Sequence, residues 1–274
     1  MATLAVPSTA RPWVERLARA GYLAKGVVYL LVGLLALQAA AGVGGRTTDT
    51  AGVFRVLLGQ PLGRWLLGLV AIGLAGYALW RMLCALLDPE RQGRKGWKRA
   101  GVRVGYALSA AIHAALAFQA GRLALGGAGG RSSEGQAESR TAQLLEAPFG
   151  VWLVGMVALG IAGYGVAQIV RGFRKDAISR MRIAGLDADQ RRMVLRVARA
   201  GLVSRGVVFG LIALFLTRAA LQHDAAEAGG LGQALRTIAE QPYAPFLLGA
   251  VAIGLAAYGA FQLALARYRL IAVG

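Results

Sequence analysis

The sequence predicts an all-helical, polytopic membrane protein: six transmembrane helices forming three parallel two-helix repeats around a pseudo-threefold axis. Three observations carry that expectation. Long uncharged apolar runs recur along the chain, basic residues crowd alternate connections, and one hairpin pattern is written three times.

Of the 274 residues, 57% are hydrophobic and 16% charged, against roughly a quarter charged in an ordinary soluble domain. The formal net charge is nevertheless +18, and the mean hydropathy is +0.54. Basic charge alone would suggest a nucleic-acid partner. Here it is kept apart from uncharged runs at 26–45, 65–80, 104–121, 147–170, 206–217 and 241–266, which excludes that reading. A hydrocarbon core of about 30 Å takes about 20 helical residues. The first, fourth and sixth runs are that long outright. The second and fifth become so if Arg64, Arg81, Arg205 and Arg218 reach outward to the interfaces, and the third continues into Arg122 and Leu123.

The first run carries small residues in "LALQAAAG" that resemble a cleavage site, but it is longer than the 7–15 residues usual for a signal h-region. The same segment also recurs internally, so it is expected to stay in the mature protein. The single cysteine, Cys84, excludes an intrachain disulfide.

Residues 1–25, 81–103, 171–205 and 267–274 hold 23 of the 31 Lys/Arg but only 6 of the 13 acids. The positive-inside rule then places both termini and both long linkers in the cytoplasm.

The first helices of the three pairs align without gaps: "RAGYLAKGVVY" from Arg19, "RVGYALSAAIH" from Arg103 and "RAGLVSRGVVF" from Arg199. The second helices align as "PLGRWLLGLVAIGLAGY" from Pro61, "PFGVWLVGMVALGIAGY" from Pro148 and "PYAPFLLGAVAIGLAAY" from Pro242. The repeats are read as 1–90, 91–176 and 177–274. Each contains an even number of spans, so all three share one orientation, unlike the inverted repeats of many transporters.

Helical spacing sorts the recurring positions. In the second helices the small residues Gly68, Ala71 and Ala75 share one face, as do Gly155, Ala158 and Ala162, and Gly249, Ala252 and Ala256. Lipid gives helices little hydrophobic drive to associate, so these stripes are expected to face protein. Gly73 and Tyr77, with their counterparts Gly160 and Tyr164, and Gly254 and Tyr258, point to the other side.

In the first helices Lys25, Ser109 and Arg205 occupy one level, near the cytoplasmic face. Two readings fit: Lys25 and Arg205 snorkel to lipid phosphates, or the three form a shared basic site. His113 lies deep in the third span and either acts as an intramembrane ionisable group or fills the aromatic slot of Tyr29 and Phe209. Tyr77, Tyr164 and Tyr258 form an aromatic belt, pack internally, or line a polar path that Arg81, Gln168 and Gln262 would extend.

Before the fifth span, Asp187 and Gln190 form a plausible capping box. Arg192, Arg196 and Arg199 then share a face opposite Val194, Val197 and Gly201. That basic amphipathic segment reads as a helix in the headgroup region of an anionic leaflet. Simple topology determinants are the plainer reading.

With "ARAGYLAKGVVYLLVGLLAL", "LLGLVAIGLAGYALW" and the threefold repetition, the chain resembles the domain-of-unknown-function 1206 (DUF1206) family of bacterial membrane proteins over about residues 15–270. The second repeat departs most, with Ser109 and Ala110 in place of the basic–Gly pair and His113 in place of the aromatic. The resemblance implies six spans and no established reaction, so it lends no catalytic residues.

The sequence holds no HExxH, no P-loop, no cysteine cluster and no acid within the six runs. No catalytic residue, cofactor or metal site is therefore expected. The reading is a non-enzymatic scaffold or accessory component that meets anionic lipid or another membrane protein and no nucleic acid. The alternative is a channel or carrier for a small anionic solute.

Overall fold

In the computed structural model the described residues are 11–45, 47–87, 96–127, 133–174, 181 and 187–269. The helices among them are α1 (Arg11–Ala40), α2 (Thr50–Leu58), α3 (Gly63–Leu87), α4 (Trp97–Ala124), α5 (Ser133–Leu145), α6 (Gly150–Phe173), α7 (Ala188–Gln222), α8 (Leu231–Ala239) and α9 (Ala244–Tyr268), with a short 3-10 turn at Ala225–Glu227. Six of them, α1, α3, α4, α6, α7 and α9, are long and apolar enough to cross a membrane. The repeat boundaries drawn at 90/91 and 176/177 lie outside the described residues.

The spans extend well past their apolar runs. α1 begins at Arg11, long before the run at 26, and α7 begins at Ala188. The 35 residues of α7 correspond to about 52 Å at 1.5 Å per residue. The basic segment expected to form a helix of its own in the headgroup region is instead continuous with the fifth span. No Pro or turn signal interrupts 188–222, so nothing breaks the backbone ladder. Its start is the expected capping box: Asp187 Oδ1 accepts from the Gln190 N–H at 2.8 Å, and Gln190 Oε1 accepts from the Asp187 N–H at 3.3 Å.

The connections within each hairpin are not bare loops. Each carries a helix, α2, α5 or α8. These are too short to stand out as periodic segments in a strongly apolar chain.

The chain divides into two compact units. The first comprises Met1–Val27, Phe54–Gly129 and Gln262–Gly274, and the second Val28–Val53 and Gly130–Phe261. In the first unit α1 and α3 cross at very close range. A Cβ at Gly21 would lie 2.7 Å from the Tyr77 Cα, and one at Gly73 would lie 2.6 Å from the Ala24 Cβ. Glycine at Gly76 likewise admits the Leu17 carbonyl, 2.8 Å from where a Cβ would sit. Trp80, Tyr22, Leu67 and Cys84 complete the interior, and α3 also packs along α4.

The second unit repeats the same crossing between α7 and α9. A Cβ at Gly201 would lie 2.5 Å from the Tyr258 Cα, and one at Gly254 would meet the Ser204 side chain. Here α6 packs along α7, with Gly165 and Gly206 each facing the other's carbonyl. Gly33 of α1 faces Ala256 and the Ala252 carbonyl of α9, the latter 2.8 Å from its Cβ position. In the hairpin connections, Arg236 of α8 pairs with Glu134 of α5 at 2.7 Å, and Asp49 Oδ1 accepts the Gly52 N–H at 2.7 Å to start α2.

The small-residue stripes therefore divide the work differently from the expectation. Ala158 packs in a cluster with Leu216, Ala219 and Ala220 of α7, Ala252 and Ala256 meet Gly33, and Ala71 lies 3.9 Å from the Cβ position of Gly121 in α4. Each stripe turns toward the next repeat. Gly68 and Gly155 have open space beside them, Ala75 is exposed, and Gly249 and Ala162 are half-buried. Gly73 and Gly254, on the opposite side of their helices, make close crossings within their own repeats. A helix between two neighbours needs two close faces, and small residues let the backbones approach closely on each of them.

These contacts fix the expected outcome of two substitutions. Gly201→Val forces a side chain into the α9 backbone and is expected to destabilise the protein by more than about 2 kcal/mol. Gly68→Ala is expected to be neutral or slightly stabilising, since it gains helix propensity in open space. Thermal unfolding in detergent, followed by a thiol-reactive fluorophore reaching the buried Cys84, reads both.

Candidate functional site

In the first unit, Lys25 points inward from α1 and is only 4% exposed. Its Nζ donates to the Tyr77 hydroxyl at 3.4 Å and sits 4.9 Å from the centre of the Tyr77 ring. Arg81, one turn further along α3, also donates to that hydroxyl, through Nε at 2.8 Å and through Nη2. Its guanidinium lies 4.9 Å from the Tyr77 ring and 5.2 Å from the Tyr106 ring. Tyr22 meets Tyr77 edge-on at 5.2 Å, and His113 of α4 lies against Tyr77 at 4.6 Å. The His113 Nδ1 bonds the Ser109 carbonyl at 2.7 Å. A carbonyl can only accept, so that nitrogen carries the proton.

Arg205 of α7 organises the second unit. It is 8% exposed, and its Nη1 donates to the Tyr258 hydroxyl at 2.6 Å. Four rings surround the guanidinium: Tyr258 at 4.8 Å, Phe209 at 5.0 Å, and Tyr29 and Tyr164 at 5.6 Å each. The negative faces of aromatic rings attract a cation, and more strongly where water is excluded.

Neither cation therefore snorkels. Tyr77 lies twelve residues along α3 from Trp65, about 18 Å at 1.5 Å per residue, well inside a core of about 30 Å. At that depth a charged head is costly unless the protein satisfies it, and in each unit a tyrosine of the same repeat does so. Tyr77 and Tyr258 are buried and form no belt, whereas Tyr164 is 44% exposed. Ser109, in the second repeat, is half-buried. Lys25 and Ser109 fall in the first unit and Arg205 in the second. Gln168 and Gln262 are buried.

The tyrosines also link successive repeats. Tyr77 stacks on His113, Tyr164 on Phe209 at 5.0 Å, and Tyr258 on Tyr29 at 4.8 Å. Each second-helix tyrosine thus meets the slot residue of the next first helix: first repeat to second, second to third, third to first.

Sequence reasoning missed a parallel device. Arg103 donates to the Ala85 carbonyl at 2.6 Å and the Leu86 carbonyl at 3.0 Å, at the end of α3. Arg199 donates to the Gly172 carbonyl at 3.3 Å, at the end of α6, and lies over Phe173. Arg19 donates to the Ala266 and Arg267 carbonyls at 2.7 and 2.9 Å, at the end of α9. The last carbonyls of a helix have no partner within it and carry the negative end of its dipole, so a cation there is doubly favoured. Arg199, assigned to lipid headgroups, is thus a helix cap. Arg196 is exposed, and Arg192, also exposed, pairs with Asp189. The signal was present in the alignment, since Arg19, Arg103 and Arg199 lead all three repeats.

At the opposite end of the second helices, the residue after each proline takes a left-handed conformation: Leu62, Phe149 and Tyr243, at φ of 60°, 60° and 63°. For residues other than glycine this costs on the order of 1 kcal/mol each. The turn leaves Leu62 and Trp65, Phe149 and Trp152, and Tyr243 and Phe246 exposed, as aromatic-rich pairs at the mouth of each span where interfacial anchors belong.

A family model described as Domain of Unknown Function (DUF1206) matches residues 20–88, 104–175 and 200–269. The chain belongs to the DUF1206 family. It is similar to the Uncharacterized protein YxxB of Bacillus subtilis (strain 168), 33% identical over 255 residues that cover 92% of this chain and 90% of that protein. No solved structure matches the chain. Each matched DUF1206 stretch opens one residue after a capping arginine and contains one of Tyr77, Tyr164 and Tyr258.

Tyr258→Phe removes the hydroxyl that receives Arg205 while keeping the ring, and is expected to cost about 1.5–3 kcal/mol. Unfolding midpoints in detergent, compared with those of the wild type, read the loss. Arg103→Met exposes the α3 carbonyls and is expected to cost about 1–2 kcal/mol, read as faster hydrogen exchange over residues 82–87 than in the rest of α3.

Proposed function

We propose that the protein is a non-enzymatic scaffold or accessory component of the bacterial inner membrane, with both termini cytoplasmic. Its proposed contacts are anionic lipid or another membrane protein. One observation carries this reading: Arg205 is enclosed by four rings and a hydroxyl of the protein itself. A cation so occupied fastens helices together rather than awaiting a substrate. The three capping arginines point the same way, each spent on a helix end. The basic residues left for lipid are outward ones such as Arg192 and Arg196 on α7, where each contributes on the order of 1 kcal/mol near an anionic surface.

The alternative, a path for a small anionic solute, draws support from Lys25 and Arg81, which converge on Tyr77 inside the first unit.

Two measurements separate the readings. Arg192→Ala/Arg196→Ala is expected to lower the phosphatidylglycerol that copurifies with the protein several-fold, as weighed by mass spectrometry, and an unchanged lipid ratio would remove the lipid contact. Liposomes containing the wild type are expected to pass chloride and phosphate no faster than empty ones. Flux that Lys25→Ala/Arg205→Ala abolishes would replace the scaffold with the conduit.

A further inference from the structure

The turn that opens α3 recurs at the start of α6 and α9, with the same left-handed residue after each proline. The side chains it presents differ. Arg64 stands where the other two repeats have Val151 and Pro245, and Gln60 where they have Ala147 and Gln241. The turn therefore forms without a cation, and the fold does not require Arg64 there. Among the three repeats, the first alone sets a glutamine, an arginine and a tryptophan in this turn.

These residues line an open cleft of about 450 Å³, walled by Leu58, Gln60, Leu62, Gly63, Arg64 and Trp65. Arg64 is exposed and makes no hydrogen bond, ion pair or ring contact among the described residues. Its Nη2 lies 2.9 Å from where a Cβ on Gly126 would sit, so the turn after α4 gives the guanidinium a resting place without giving it an acceptor. None of α2, α3 and α4 carries an Asp or Glu. Gln60 Nε2 donates to the Val56 carbonyl at 3.5 Å, which leaves its Oε1 to accept. Leu62 and Trp65 are 73% and 77% exposed, and large apolar side chains left bare beside polar ones mark a surface that something covers.

An unpaired guanidinium beside an apolar wall, at the mouth of a span, matches an amphiphile whose anionic group adjoins its hydrocarbon. A guanidinium fork takes two phosphate oxygens at once, and tryptophan settles at the depth of lipid headgroups. With no acid nearby to neutralise Arg64, a lipid of net negative charge is favoured over a zwitterionic one, and Gln60 Oε1 suits a headgroup hydroxyl. We infer that this cleft binds one anionic phospholipid of the leaflet around the start of α3. Its phosphodiester lies on Arg64, its headgroup on Gln60, and its glycerol backbone against Leu62 and Trp65. The site goes beyond the scaffold reading and does not depend on it, because the lipid contacts of that reading are Arg192 and Arg196 on α7.

The test uses the full chain in dodecyl maltoside micelles with a trace of phosphatidylglycerol that carries a photoreactive diazirine beside its glycerol backbone. After photolysis, the labelled residues are located by pepsin digestion and mass spectrometry. Label is expected within residues 58–65, and unlabelled phosphatidylglycerol is expected to displace it at least tenfold more effectively than phosphatidylcholine. Inorganic phosphate is expected not to displace it. Arg64→Met is expected to erase the preference, so that both lipids compete alike. Arg140→Met, which removes one exposed cation of α5, is expected to leave the preference unchanged. The inference is overturned if residues 58–65 stay unlabelled, if the two lipids compete equally in the wild type, if inorganic phosphate displaces the label as phosphatidylglycerol does, or if Arg64→Met keeps the wild-type preference.

Discussion

A cation drawn into a low-dielectric core must be met by the protein, and in the first and third repeats of this chain a tyrosine of the same repeat does it. Tyr77 receives Lys25 on its hydroxyl and Tyr258 receives Arg205, while the same rings stack on the slot residues of the following repeats. The hydroxyl thus holds a hairpin together and the ring holds it to its neighbour. Both depend on glycine at Gly21 and Gly201, since any side chain there would push the tyrosine backbone away. Crossing, charge and stacking are one arrangement, and altering any of them disturbs the other two.

The capping arginines extend this logic to the helix ends. Arg103 closes the end of α3, Arg199 that of α6, and Arg19 that of α9. Each bond joins one repeat to the next in the same order as the ring stacking. Charges that look from the sequence like topology determinants are therefore also structural. A guanidinium suits these helix ends, because its five donors form a fork that reaches several oxygens at once.

The second repeat lacks its own cation, and its tyrosine behaves accordingly. Tyr164 is the exposed member of the three, and the cation beside it, Arg205, comes from the third repeat. The backbone carbonyl of Ser109 accepts from His113, a bond that any residue at 109 would offer. The imidazole takes the place of an aromatic ring, with its Nδ1 proton held by the turn below.

How much of this could be read beforehand follows from the kind of information each feature requires. Hydropathy, charge segregation and internal alignment are properties of the linear chain, and they were enough for six spans, three repeats and family membership. The capping box at Asp187 was legible for the same reason, since it is closed within four residues. The direction in which a helix face points was not. The stripe at Ala71 and the face bearing Gly73 are both small and apolar, and only the crossing of α1 with α3 decides which one makes the tighter contact. The partners of Lys25 and Arg199 were not legible either: an arginine or lysine near a span end looks the same whether its partner is a lipid phosphate, a carbonyl or a ring. The sequence by itself determined which segments enter lipid, because burial in hydrocarbon depends on local composition. Only the tertiary structure decided where the charges go, because a long side chain chooses among partners that lie 50 or more residues away along the chain.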